Sequence, residues 1–107
     1  MPKYMFEFSY SADGLKGLLK EGGTGRRDAT TKLAESLGGN VESYCFAFGG
    51  SRDGFLIADV PDNASAAAAS LIASATGAVR VSTTVLLTAQ EVDDAAKKHA
   101  DYRPPGA

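Results

Sequence analysis

The alternation of apolar and polar positions predicts four β-strands. In the first, aromatic side chains alternate with Met5, Glu7 and Ser9, which is the period of two of a pleated strand. The other three are rich in aromatic and β-branched residues, which favour strands. The predicted strands are residues 3–10, 41–48, 55–60 and 79–87. A glycine-rich segment, residues 49–54, separates the second from the third and predicts a hairpin.

Helical spacing of apolar residues predicts helices in the remaining segments. A first helix capped by Ser11 or Asp13 is interrupted by the glycines at 22, 23 and 25, because glycine weakens helices. The helix resumes at Thr24 and ends at Gly38-Gly39. An alanine-rich helix, capped by Asp62 or Asn63, is predicted to end at Gly77. Thr88 and Glu91 form a capping box that starts a last helix, predicted to reach about residue 100.

The order β-α-β-β-α-β with an added C-terminal helix predicts an α+β, ferredoxin-like fold. Right-handed crossovers place strands one and three at the centre of an antiparallel sheet, flanked by four and two, with the helices on one face. Residues 1–101 form a single domain in this interpretation, and residues 102–107 form a tail. The third strand is apolar on both sides, so we expect a second copy of the chain to cover the open face of the sheet. A homodimer, or a higher oligomer, is therefore predicted.

Composition and charge exclude several classes of function. The chain has 107 residues, 44% of them hydrophobic, and a formal net charge of −2, so the electrostatic footprint of a nucleic-acid-binding protein is missing. Cys45 is the only cysteine, which excludes an intrachain disulfide and fits a reducing cytoplasm. No signal peptide or membrane span is expected. No metal site and no cofactor are predicted.

The segment KEGGTGRRDA, residues 20–29, has two interpretations. It resembles a phosphate-binding loop in its glycines, but it follows a helix rather than a strand and lacks the lysine of the Walker motif. A bend between two helical pieces is the favoured interpretation. The alternative is a generic anion site at the start of the second piece, to which Arg26 and Arg27 contribute positive charge.

Other single residues suggest little reactive chemistry. In the turn 49–54, Arg52 and Asp53 are either ligand contacts or, as favoured, part of the hairpin connection. His99, the only histidine, is expected to pack or to be exposed on the last helix rather than to act as an acid or base. Cys45 lies in the middle of a predicted strand, where burial makes a thiol inert. The catalytic residues, if any exist, stay unassigned.

Two carboxylates on the predicted central strands are the strongest candidates for a ligand site. Glu7 and Asp59 are either acidic groups in a pocket between the sheet and its partner, or side chains that point outward or pair with Arg80. Tyr44 is a candidate for the same cavity. Tyr4 and Tyr10 are further candidates, although aromatic strand residues are usually part of the core.

The segments SLGGNVESYCFAFGG, FLIADVPDNASAAAASL and GAVRVSTTVLLTAQEVDDA resemble the bacterial GYD-domain family, within the ferredoxin-like dimeric α/β barrel group. The resemblance extends from about residue 3 to residue 98. It implies the fold and dimerisation, but no established reaction. The Gly-Tyr-Asp element that names the family has no tyrosine here, because residues 50–55 read GSRDGF.

Two functional hypotheses follow. The first is a non-enzymatic oligomeric module that binds a small ligand in a cavity between facing sheets. The second, suggested by the resemblance, is a cofactor-independent, monooxygenase-like enzyme that acts on a small aromatic or activated substrate. The first is favoured, because no histidine–carboxylate pair is evident to supply a base.

Overall fold

A computed structural model describes the whole chain, residues 1–107. Its strands are β1 (Lys3–Tyr10), β2 (Asn40–Phe46), β3 (Gly54–Asp59) and β4 (Val79–Leu86). Its helices are α1 (Ala12–Glu21), α2 (Gly23–Ser36), α3 (Asn63–Ala75) and α4 (Ala89–Ala96). The predicted order of strands and helices is confirmed, and the chain is an α+β protein.

The four strands form one antiparallel sheet in the order β2-β3-β1-β4. Strands β1 and β3 are central, as predicted. Phe6 of β1 pairs with Leu56 of β3 on one side and with Thr83 of β4 on the other, which fixes the side chains that share a face.

The core lies on the face of the sheet covered by helices α1, α2 and α3, which we call the helix face. Alternation along β1 turns Tyr4, Phe6 and Phe8 toward the helices, and all three are buried. The buried cluster comprises Tyr4, Phe6, Phe8, Leu56, Ala58, Val60 and Ala66. Only ten of the 107 residues are buried.

Strand β2 departs from the predicted alternation. A bulge between Val41 and Ser43 shifts the register against β3, so that Tyr44 and Phe46 pair with Leu56 and Gly54. Val41, Tyr44 and Phe46 therefore pack against the core on the helix face, although strict alternation would place Val41 on the same side as Cys45. Cys45 is exposed, and the prediction that it is buried was wrong.

Helices α1 and α2 are two pieces separated by Gly22, which has a φ of +86°. Gly22 ends α1, where its backbone N–H donates to the carbonyl of Leu18, and α2 begins at the next residue. Positive φ is a conformation that glycine adopts without steric cost. The bend predicted for this segment is confirmed.

Helix α4 begins at the predicted capping box. The Glu91 amide donates to the Thr88 hydroxyl, and the Glu91 carboxylate accepts from the Thr88 amide. The helix ends at Ala96, before the predicted residue 100, so His99 is an exposed residue beyond it. Every residue of α4 is exposed. None of the four helices is both long enough and apolar enough to cross a bilayer.

Candidate functional site

A cavity of about 380 Å³ lies between the helix face of the sheet and helices α1, α2 and α3. Most of the side chains that line it are hydrophobic. The sheet contributes Phe6, Phe8, Tyr10, Tyr44, Leu56, Ala58, Val79 and Val81 to its floor. The helices contribute Leu18, Ala29, Leu33, Ala34, Ala69, Ile72 and Ala73.

The rim of the cavity is formed by α1 and by the end of α3. The exposed residues among those that line it are Asp13, Gly17 and Glu21 on α1, and Ile72 and Thr76 on the other side. Helix α1 packs on α2, whereas α3 packs on β4 and its Ser70 hydrogen bonds to Thr83. The opening therefore lies between α1 and α3.

The rings around the cavity form a connected aromatic wall. Phe8 stacks on Tyr44, with a centroid separation of 5.4 Å and an interplanar angle of 30°. Phe8 also meets Tyr10 edge to face at 5.5 Å, and Phe46 packs against Tyr44 at 5.4 Å. These separations are those of favourable aromatic pairs, so the rings form a continuous apolar surface.

One corner of the cavity is polar. The side chain of Arg26 lies beside the hydroxyl of Tyr10, and its Nη1 donates to Glu21 Oε1 at 3.3 Å. The hydroxyl of Tyr44 lies next to Tyr10 and Thr30. We call Tyr10, Arg26, Thr30 and Tyr44 the polar corner. Arg26 and Thr30 share one face of α2, where the Thr30 hydroxyl donates to the Arg26 carbonyl at 3.0 Å.

The surroundings of the polar corner determine the protonation states of Tyr44 and Arg26. Burial raises the pKa of the Tyr44 phenol, and the neighbouring Tyr10 raises it further, so this group is a neutral hydrogen-bond donor at pH 7. Burial lowers the pKa of Arg26, but the contacts with Tyr10 and Glu21 more than offset it, so the net shift is upward. Arg26 is therefore a cation at the edge of an apolar space.

The sequence-predicted site residues are divided between the two faces of the sheet. Tyr44 and Arg26 line the cavity, as does Tyr10. Glu7 and Asp59 lie on the opposite, open face, because side chains alternate along β1 and β3. The structure does not bring these two carboxylates together with Tyr44.

Asp59 has a partner other than the one suggested by the sequence. Its carboxylate accepts from Lys3 Nζ at 2.9 Å, and Lys3 also pairs with Glu42. The hydrogen bond from Lys3 lowers the pKa of Asp59. Arg80 is aligned with Ser9 across the sheet and forms no ion pair with Asp59.

The other candidates take structural or solvent-exposed positions. Arg27 is exposed and pairs with Asp28 at 3.3 Å, away from the cavity. The Asp53 carboxylate accepts from the Tyr10 amide at 2.7 Å, which ties the 47–53 connection to the end of β1. Tyr4 is buried, and its hydroxyl donates to Asn63 Oδ1 at 2.6 Å. No group of three or more His, Cys, Asp or Glu side chains is placed to hold a metal ion.

Two signals in the sequence could have indicated the polar corner. Arg26 and Thr30 are four residues apart on a helix, and Tyr10 continues the inward side of β1. The position of Tyr44 depends on the bulge in β2, which no local sequence pattern predicts.

The fold and the site define an α+β protein with one antiparallel sheet and a largely apolar cavity beneath its helices. The family model of the GYD domain matches residues 4–96. The chain therefore belongs to the GYD domain family, as the resemblance implied. Searches of curated proteins and of solved structures find no significant match.

Proposed function

We propose that the protein is a non-enzymatic, homo-oligomeric module that binds a small apolar molecule in the cavity beneath its helices. The observation that carries this proposal is the cavity itself. Its volume of about 380 Å³ lies within the range of small-molecule sites, roughly 300–1,000 Å³. Apolar walls with a few converging polar groups are the usual composition of such sites.

The proposed site lies within one chain, whereas the sequence suggested a cavity between facing sheets. The reason is that the aromatic residues of β1 and β2 turn toward the helices. Glu7 and Asp59, on the open face, belong in this proposal to the surface between subunits and not to the ligand site.

The open face supports association with a second copy. Along β3, Phe55 and Ile57 point away from the helices, and Met5 lies next to Ile57 on β1. Glu7, which is aligned with Phe55, and Ser82, which is aligned with Glu7, border this apolar patch. An apolar centre with a polar rim is the composition of protein interfaces.

The extended shape of the chain also supports association. Its accessible surface is 7192 Å², whereas a compact monomer of this mass exposes about 5,700 Å². Its radius of gyration is 16.8 Å, against about 13 Å for a compact chain of this length. Helix α4 contributes to this excess, because none of its residues is buried, and isolated helices this short are marginal in water.

These features support a ferredoxin-like fold assembled sheet to sheet as a dimeric α/β barrel. The strand order β2-β3-β1-β4 is that of the ferredoxin-like arrangement. A cytoplasmic location is part of the same proposal and is supported by the single, unpaired Cys45.

Ligand binding is tested with N-phenyl-1-naphthylamine, an uncharged probe whose fluorescence increases in apolar surroundings. We expect saturable binding to the wild-type protein. Ala69→Phe fills the cavity and should abolish binding, because Ala69 lines it. Ala67→Phe is the matched control on the same helix, since Ala67 is exposed and does not line the cavity. Equal binding to both variants would contradict the proposal.

Association is tested by sedimentation velocity over a dilution series. Ile57→Asp places a charge on the open face and should shift the protein toward monomer. Leu71→Asp is the control, because Leu71 is 70% exposed on α3, on the helix side of the sheet. A wild-type protein that is monomeric at micromolar concentration would overturn the oligomer.

The enzymatic alternative receives less support from the cavity. A cofactor-independent enzyme needs a base within reach of its substrate. Tyr44 is neutral at pH 7, since burial raises a pKa whose ordinary value is already 10, and the carboxylates of Asp13 and Glu21 are at the solvent-exposed rim. Turnover that is lost on Glu21→Gln would nevertheless establish an enzyme.

A further inference from the structure

The polar corner has a defined chemical preference. It contains one cation, Arg26, and the hydroxyls of Tyr10, Thr30 and Tyr44. An arginine cannot lose its proton at physiological pH and presents only donors. The two phenols can donate to an oxygen placed between them and Arg26. The corner is therefore complementary to an anionic oxygen group.

The anion that now balances Arg26 is loosely held. Glu21 contacts the guanidinium through one hydrogen bond of 3.3 Å, at the long end of the normal range. Its side chain is 44% exposed, and ion pairs of this kind contribute little to stability. A ligand can thus take the place of Glu21 without leaving a buried charge unpaired, because the displaced carboxylate returns to water.

The aromatic side chains next to the polar corner determine which apolar group the ligand carries beside its anionic group. Phe8, Tyr10 and Tyr44 form contiguous ring faces and edges, with centroids 5.4 and 5.5 Å apart. A flat aromatic ring packs against such a surface by stacked or edge-to-face contact.

We propose that the cavity binds a planar aromatic carboxylate, whose carboxylate group replaces Glu21 at Arg26 and accepts from the hydroxyls of Tyr10 and Tyr44. The aromatic ring lies against Phe8 and the apolar walls. This inference rests on the proposed function and specifies the ligand class of the same cavity.

The test uses three probes of nearly equal shape in competition with N-phenyl-1-naphthylamine: 2-naphthoate, uncharged 2-naphthamide and cationic 2-naphthylmethylamine. For the wild-type protein at pH 7 we expect 2-naphthoate to bind about tenfold more tightly than 2-naphthamide, the effect of one charge-assisted hydrogen bond. Equal affinities for these two, or tightest binding of the amine, would overturn the ligand class while leaving cavity binding intact. Failure of all three to displace a dye that binds saturably would also overturn the ligand class, whereas failure of the dye itself to bind would overturn the proposed function.

Substitutions test which residue causes the preference for naphthoate over naphthamide. Arg26→Gln should remove the preference for naphthoate over naphthamide but retain naphthamide binding, whereas Arg26→Lys should keep part of it. Arg27→Gln makes the same change in net charge one residue away, on a side chain that points away from the cavity, and should leave the preference intact. Glu21→Gln should tighten naphthoate binding, because the competing carboxylate is gone. A preference that survives Arg26→Gln, or that falls equally with Arg27→Gln, would contradict the assignment to Arg26.

Discussion

Gly14 of α1 lies so close to Ala78 that a β-carbon on Gly14 would be 1.9 Å from the Ala78 carbonyl oxygen. The same oxygen accepts from the Ser11 amide at 3.0 Å. The start of α1 is thus fixed against the segment that leads into β4. This contact places α1 where it forms one rim of the cavity.

The first prediction compares two glycines of this helix. Gly14→Ala should destabilise the protein by about 1–3 kcal/mol or more, because the new methyl group meets backbone that cannot rotate away. Gly17→Ala should stabilise it by up to about 1 kcal/mol, since nothing lies within 4 Å of its β-carbon and alanine is the better helix former. Urea unfolding monitored by circular dichroism measures both changes. Shifts of the same sign would show that α1 is not seated as described.

The second prediction concerns the hydrogen bond between Tyr4 and Asn63, which joins β1 to the first turn of α3. Tyr4 is 1% exposed, and its hydroxyl donates to Asn63 Oδ1 at 2.6 Å. Tyr4→Phe should lower the free energy of unfolding by about 0.5–1.5 kcal/mol. In a double-mutant cycle with Asn63→Ala, the two effects should be less than additive. Strict additivity would show that the hydrogen bond contributes nothing.

The third prediction uses the half-buried phenol of Tyr44. Its pKa is raised in the folded protein, so the folded state holds a proton that the unfolded state releases above pH 10. The stability that depends on this proton is present below pH 10 and is lost as the pH rises through the folded-state value. Tyr44→Phe should therefore flatten the decline of stability above pH 10. Denaturant unfolding between pH 8 and pH 11 measures it, with Tyr102→Phe as the exposed control. Parallel profiles for wild type and Tyr44→Phe would contradict the raised pKa of the phenol.

Strand positions were predictable where local pattern decides them. The sheet order follows from connection rules, and the alternation along β1 correctly separates Phe6 and Phe8 from Glu7. The bend at Gly22 is also evident, because three nearby glycines interrupt a helical pattern.

The faces of β2 were not predictable in the same way. The bulge at Glu42 inserts one extra residue, and a one-residue shift exchanges the two faces of a strand. Tyr44 consequently joins the core side, and Cys45 becomes exposed. The bulge arises from the pairing with β3, so it cannot be predicted from the sequence of β2 alone.

The cavity also depends on tertiary placement. Arg26 and Arg27 are adjacent in sequence and were given one role, but a helix turns successive residues by about 100°. Arg26 therefore faces the sheet, and Arg27 faces solvent with Asp28. The sequence indicated positive charge near the start of α2. The packing of α2 on β2 decides which of the two arginines lies at the cavity.

The last prediction concerns acid stability and the ion pair between Lys3 and Asp59. The hydrogen bond from Lys3 holds the pKa of Asp59 below its ordinary value of 3.8. A depressed carboxyl pKa adds stability above the unfolded-state value, and this stability is lost as the pH falls through the folded-state value. Asp59→Asn should thus lower the melting temperature at pH 7, and this effect should shrink as the pH falls through the folded-state pKa of Asp59 and its carboxylate becomes neutral. Lys3 keeps Glu42 as a partner in this variant, so the difference reports on Asp59 rather than on an orphaned lysine. Thermal unfolding between pH 2 and pH 7 measures the difference, with Asp13→Asn as a control, because Asp13 is exposed and forms no ion pair. A difference that stays constant across this range would show that the Asp59 carboxylate is not stabilised in the folded state.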